Sequence, residues 1–234
     1  DEVRDLATAF RIPNAPVANG ATVESLEHFV ARGSFVANPA GFHQPAHPYR
    51  ISGVELRPPS VAPRLGQHTE HHRIADRTPR TVGSGVNALP LRGIRVLDLT
   101  TFWAGPSCTH PMALLGADVI HVESARRPDG TRLIAGVPVT EEQWWEKQPI
   151  FAALNTNKKD ITLDLATERG RELLSRLIAT ADVVAENYTP RVLDQLGPRG
   201  RERLPEPAVR MCERVTHREL ADDGRAALRG EKRV

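Results

Sequence analysis

The stretch at residues 96–124, VLDLTTFWAGPSCTHPMALLGADVIHVES, limits the fold more than any other part of the chain. It sits within two apolar runs, IRVLDL at residues 94–99 and DVIHVE at residues 118–123. Runs of this kind predict buried strands of a parallel sheet. The segment between them reads as a turn followed by a helix over residues 109–115, stopped at Gly116. Pro111 places the start of that helix no earlier than Ser107, because proline is tolerated only in a first turn. The turn itself, TTFWAGPS, lacks the spaced glycines that cradle a dinucleotide.

The pattern continues downstream. DITLDL at residues 160–165 precedes a helix capped by Thr167, with Leu173, Leu174, Leu177 and Ile178 on one side, and DVVAE at residues 182–186 is a further strand. Short strands joined through helices imply parallel pairing with right-handed crossovers, so residues 91–197 are expected to form an α/β domain with flanking helices. That domain is incomplete. Residues 198–234 hold 10 Lys or Arg and 7 Asp or Glu, with no aromatic residue and no strand-like run, where another β-α unit is due. A weak helix near residues 208–220 in a divergent, poorly ordered tail is the expectation there.

The region before the domain is loop-rich. Thr22 is placed to cap a helix running through Ala31, with Leu26, Phe29 and Val30 on one face and Gly33 as its stop. Pro39, Pro45, Pro48 and Pro58 then break residues 34–60 into loops and short strands that need a partner surface. Residues 77–90, RTPRTVGSGVNALP, have linker composition and separate residues 1–76 from the domain.

Composition narrows the function. With 234 residues, 40% hydrophobic and 26% charged, there is material for one sizeable core or two small ones. A formal charge of +2 with dispersed Lys and Arg gives no basic stripe for nucleic acid. No apolar stretch approaches the ~20 residues of a spanning helix, and DEVRDLATAF is not a signal sequence, so a cytoplasmic protein without membrane contact is expected. Cys108 and Cys212 are far apart and make no CxxC pair, which leaves buried thiols as their expected state.

The motifs RVLDLTTFWAGP, LLGADVIHVE, NTNKKDITLDL and ADVVAENYTPRVLDQLG resemble, in order and spacing, the class III CoA-transferase family, which includes formyl-CoA and carnitine CoA-transferases and α-methylacyl-CoA racemases. The resemblance covers residues 91–197 and implies the N-terminal half of a Rossmann-like CoA-binding domain. It also implies coenzyme A as substrate or acyl-CoA, a carboxylic acid as the second substrate, and a homodimer or pairing with an intact module. Residues 11–72, with RIPNAPVANGATVESLEHFVARGSFV, HPYRIS and APRLGQHTEHH, resemble the C-terminal end of the same family. The order end, linker, beginning fits either a junction between two modules fused in tandem or a circularly permuted module; a permuted module would retain its middle, so a junction fragment of a tandem fusion is expected.

The turn after the first strand lies at the carboxyl edge of a parallel sheet, where α/β folds bind ligands, and the helix that follows offers N–H groups to phosphate oxygens. By resemblance Thr101, Phe102, Trp103 and Ala104 contact CoA. Trp103 replaces the polar residue of some relatives, and a core position under the sheet edge is its alternative role. Asn155 and Lys158 are matched to phosphate binding, against a solvated turn of two lysines with Lys159. Asn187 and Tyr188 match an Asn-aromatic pair near pantetheine and adenine. Arg126, Arg127 and Arg132 flank a loop where relatives place phosphate-binding arginines, with Ser124 where an arginine is often found. His68, His71 and His72 have i, i+3, i+4 spacing, for which solvent-facing positions on a helix are preferred to a metal site, so no metal is expected. Asp98 and Asp118 read as loop hydrogen-bonding carboxylates.

The resemblance implies a nucleophilic aspartate that forms a mixed anhydride with the acyl group and then carries CoA as a thioester. That aspartate belongs downstream of the ENY-x-P...LG motif, where this sequence has only Asp222 and Asp223 in an unrelated context, so no catalytic residue is assigned. A shifted reading frame after Gly197 would account for the change. The expected function is class III CoA transfer by an incomplete chain. A non-catalytic CoA-binding or assembly remnant, or a racemase, are the alternatives.

Overall fold

The computed structural model describes residues 2–70, 88–134 and 136–189, together with the backbone of one further strand, Val209–Cys212. It divides into two compact units, Asp1–Ser52 with Arg57–Arg73, and Gly53–Leu56 with Ile74–Val234. No helix among the described residues is long and apolar enough to cross a membrane.

The smaller unit opens with α1 (Glu2–Ala9). The helix expected from Thr22 to Ala31 is split into a 3-10 turn, Val23–Ser25, and α2 (Glu27–Arg32), because Leu26 between them is extended. The Thr22 hydroxyl accepts from the Asn19 amide instead of capping a helix, while Asn19 Oδ1 accepts from the amides of Ala21 and Thr22. Gly33 stops α2 as expected, left-handed at φ 60°. The strands β1 (Phe35–Asn38) and β2 (Phe42–Pro45) form an antiparallel hairpin, with Asn38 opposite Phe42.

The larger unit is the α/β domain. Its elements run β3 (Arg95–Asp98), α3 (Ala104–Leu114), β4 (Asp118–Glu123), α4 (Thr131–Ile134), a 3-10 turn at Trp144–Glu146, α5 (Pro149–Asn155), β5 (Lys159–Thr162), α6 (Glu168–Ile178), β6 (Val183–Glu186) and β7 (Val209–Cys212). The sheet order is β5-β4-β3-β6-β7, parallel throughout. Alternation along β3 divides the core: Leu97 joins Ile120, Val122 and Val184 against Leu174, Leu177 and Ile178 of α6, while Val96 joins Val119, Ala185 and Ala113 of α3. Both faces are therefore covered, which is why β3 and β4 read as continuous apolar runs.

Two expectations for this unit are corrected. Helix α3 begins at Ala104, a turn earlier than Pro111 seemed to allow, and keeps Pro111 inside it. Proline in a helix interior costs ~3 kcal/mol; here burial of Gly105, Pro106, Thr109, Ala113 and Leu114 offsets that cost. Pro106 occupies the first turn, where its missing N–H costs nothing. Downstream, Val209–Cys212 is a strand where a weak helix was expected, and its register with β6 pairs Val183 with Val209. Four residues are too few for periodicity to reveal a strand. Residues 71–87, which include most of the linker expected at residues 77–90, and residues 190–208 and 213–234 with Asp222 and Asp223, lie outside the described residues.

Candidate functional site

The chain builds β3, β4 and β5 outward in one direction, then returns to place β6 on the other side of β3. The order reverses between β3 and β6, and in open α/β sheets ligands bind at this point, outside the carboxyl ends of the strands. Two segments meet there: the turn after β3, at residues 99–103, and residues 187–189 after β6.

The turn is held by three separate side chains, one for each of three successive residues. Asp98 Oδ1 accepts from the Thr100 amide at 3.0 Å and from its hydroxyl at 2.6 Å. Asn187 grips Thr101 from both sides, accepting from its amide at 3.0 Å and donating to its carbonyl at 2.8 Å. Asp129 Oδ2 accepts from the Phe102 amide at 3.0 Å, while its other oxygen accepts from the Thr131 amide and hydroxyl. These clamps hold Phe102 at φ 69°, a left-handed conformation that is an outlier for a bulky residue. The Phe102 ring lies on Gly130, where a Cβ would come within 2.2 Å of it.

What the turn presents is apolar. Phe102 and Trp103 are each 51% exposed, so Trp103 does not take the core position that was its alternative. Helix α3 follows with no side-chain cap, leaving its first-turn N–H groups directed at the turn. Gly105 lets helix and turn approach, since a Cβ there would lie 2.3 Å from Thr100 Cβ.

Asn155 and Lys158 are brought to this region, but beneath it. Lys158 Nζ, 1% exposed, donates to Asp98 Oδ2 at 2.9 Å and to Asn155 Oδ1 at 2.7 Å. The Asn155 amide nitrogen donates to the Phe151 carbonyl. Burial lowers the Lys158 ammonium below its ordinary value, against the opposing pull of Asp98. Lys158 is thus an internal counter-ion rather than a solvated lysine; its neighbour Lys159 is exposed and pairs with Asp118. Asp118 also receives Arg95 Nε at 3.0 Å, so it ties three strands at their starts rather than bonding a loop, which corrects its expected role.

Asp98 does bond the loop, and more. It is wholly buried and also accepts from Thr109 of α3 at 2.6 Å. Burial would raise its pKa, but His121, Lys158 and Thr100 together hold the carboxyl well below the usual range. Tyr188 is mostly buried against the Leu97 core, and burial raises its phenol. Arg126 reaches Asp164 at the surface, Arg127 is exposed, and Arg132 is buried. His68 lies in a turn at residues 65–70 rather than on a helix, and His71 and His72 lie outside the described residues.

Sequence reasoning missed the second buried network. Arg132 Nη2 donates to Glu123 at 2.8 Å and to Asp160 at 3.3 Å, its Nε donates to Glu123 at 2.9 Å, and its guanidinium lies 3.4 Å from the Phe151 ring centroid. His121, Glu123 and Asp160 place potential ligand atoms within 4.8 Å of one another. The Arg132 guanidinium is already paired with both of these carboxylates. The sequence signal that could have found part of this is the PDGT run, residues 128–131, whose Asp129 turn chemistry is local.

Residues 91–206 match the sequence profile of CoA-transferase family III. Formyl-CoA:oxalate CoA-transferases of Afipia carboxidovorans and Escherichia coli O6:H1 are 42% and 39% identical over 111 and 109 residues, covering 47% and 46% of this chain and 25% of each relative. The chain thus spans about a quarter of the length of these curated relatives. Among solved structures, a CaiB/BaiF family protein from Brucella suis is 36% identical with a TM-score of 0.46, over 53% of this chain and 32% of that one. A hypothetical protein from Mycobacterium tuberculosis is 34% identical with a TM-score of 0.44, over 53% and 33%. Over residues 91–206 the chain belongs to CoA-transferase family III.

Proposed function

We propose that this chain supplies a CoA-binding surface to a reaction that moves CoA between an acyl-CoA and a carboxylic acid, with formyl-CoA and oxalate as the pair to try first. The observation that carries the reading is the clamped turn at the switch point between β3 and β6, which presents two exposed aromatic rings beside an uncapped helix start. Thr101, Phe102, Trp103 and Ala104 are its contact residues, with Tyr188 beside them. The first turn of α3 and exposed Arg127 are the groups for the phosphates. Asn155, Lys158 and Asn187 act one step back, because their polar atoms are already bonded to Asp98, Phe151 and Thr101.

The carboxylates nearest the turn favour a binding role for the described residues. Asp98 and Asp129 are 0% and 1% exposed, and each of their oxygens accepts a hydrogen bond, so neither is placed to attack a thioester. A second module, in a homodimer or an intact partner, would provide the nucleophile. The purified chain, given formyl-CoA and oxalate, tests this: CoA retention without oxalyl-CoA formation is expected. Oxalyl-CoA formed by the chain alone would assign it the whole reaction. Exchange of the α-proton of a 2-methylacyl-CoA with solvent deuterium would select the racemase instead.

A further inference from the structure

His121 is 1% exposed on β4, and neither ring nitrogen has a hydrogen-bond partner among the described residues. A buried imidazole in that condition requires a physical reason. Its Nδ1 lies 3.5 Å from Asp98 Oδ2, an ion-pair distance. The groups that face it are Asp98 on β3, Lys158 before β5, Asp160 on β5 and Glu123 on its own strand, with the Phe151 ring of α5 and Arg132 of α4 closing the side. A protonated ring meets carboxylates on two sides. A neutral ring would keep a single N–H to turn toward one of them and would carry no charge.

Asp98 is therefore the point where one buried charge cluster meets the turn. Its Oδ1 fixes Thr100; its Oδ2 collects Lys158, Thr109 and the nearby His121. Four elements of structure thus converge on a single carboxylate at the foot of the exposed aromatic pair. Removing positive charge from its buried side weakens the pull that seats it.

We propose that Asp98 is a positioning residue for the turn at residues 100–104, and that the charge carried by His121 sets how firmly Asp98 holds it. The consequence for ligand binding rests on the reading of this turn as a CoA-contacting surface. Burial disfavours the imidazolium, but the Asp98 carboxylate 3.5 Å away, with Asp160 beyond it, outweighs burial, so His121 keeps its proton above the ordinary histidine range. The sign follows: the hold is full below about pH 6.5 and is lost as pH rises through the higher folded-state value.

Hydrogen exchange on the purified chain without ligand reads the turn directly, with protection factors of residues 100–105 measured from about pH 6 to 9 and α6 as the internal control. Asp98→Asn is expected to lower protection of the turn at least roughly tenfold, as for loss of a hydrogen bond to a charged group. His121→Gln is expected to remove the decline with pH that the parent shows. Thr109→Val and Thr109→Ser probe the same carboxylate from α3, should Asp98→Asn fail to fold: Val lowers protection and Ser restores it. A turn whose protection is unchanged in Asp98→Asn or Thr109→Val, or which keeps the parent pH trend in His121→Gln, overturns the proposal. Titration of CoA into the same proteins separates the two readings. Weaker CoA binding by Asp98→Asn supports both, and equal binding overturns the link between turn order and affinity. If the parent gives no CoA binding while the exchange results hold, the positioning role stands and the CoA reading falls.

Discussion

At the scale of single residues, close approach decides the outcome more often than propensity. Replacing glycine by alanine in a helix interior normally stabilises by about 1 kcal/mol. At Gly105 the new Cβ would sit 2.3 Å from Thr100 Cβ and 2.6 Å from its Cγ2, atoms that Asp98 and the backbone hold in place. Overpacking costs ~1–3 kcal/mol, so Gly105→Ala is expected to lower the urea midpoint despite its better helix former. Charge gives a second prediction. Asp160 is pushed up to about 7, chiefly by burial and then by the neighbouring Glu123 charge, while at Glu123 burial also pushes upward but the bonds from Arg132 and the Asp129 amide outweigh it and leave it lowered. A carboxyl with a folded value above its unfolded ~3.9 binds more protons when folded, so its contribution to stability falls as pH rises from about 4 to 7. Asp160→Asn removes that contribution, and its stability relative to the parent should improve across this interval in denaturant titrations. The side chain is 39% exposed, so solvent screening keeps the gain small.

At the scale of elements, periodicity and caps were read well where the residues themselves carry the signal. Strand β4 matches its expected bounds, and Thr167 caps α6 by accepting from the Gly170 amide at 3.0 Å. Thr167→Ala is expected to cost ~1 kcal/mol in global stability, measured by chemical denaturation. Helix α3 was misjudged because a local rule about Pro111 was outweighed by the burial of one helix face, which depends on a sheet assembled from distant residues. The helix expected at Thr22 failed for a local reason: Asn19 and Thr22 satisfy each other, and Leu26 is extended between two short helical pieces. Such competition between side-chain and helical hydrogen bonding is characteristic of Asn and Thr and leaves no periodic trace.

At the scale of the whole molecule, the parallel α/β fold was legible because two covered sheet faces leave continuous apolar strands. The turn at the carboxyl edge of the sheet was legible too, since the turn after β3 is recognisable without knowing the strand order. The division of labour inside the site was not. Lys158 reads as a phosphate-binding lysine until β5 is laid beside β4, which turns its ammonium inward onto Asp98 across 60 residues of sequence. Asn187 reads as a ligand contact until β6 is laid beside β3, which brings its amide onto Thr101. Both are consequences of parallel pairing between distant segments, a non-local event that spacing within a motif does not encode. The central claim is that this pre-set turn binds CoA, and isothermal titration of CoA into the purified chain and into Asn187→Ala tests it most directly. A 1:1 heat with the parent, weakened roughly tenfold when the buried amide clamp on Thr101 is removed, is the predicted result; no heat at millimolar CoA, or equal affinity in the variant, would contradict it.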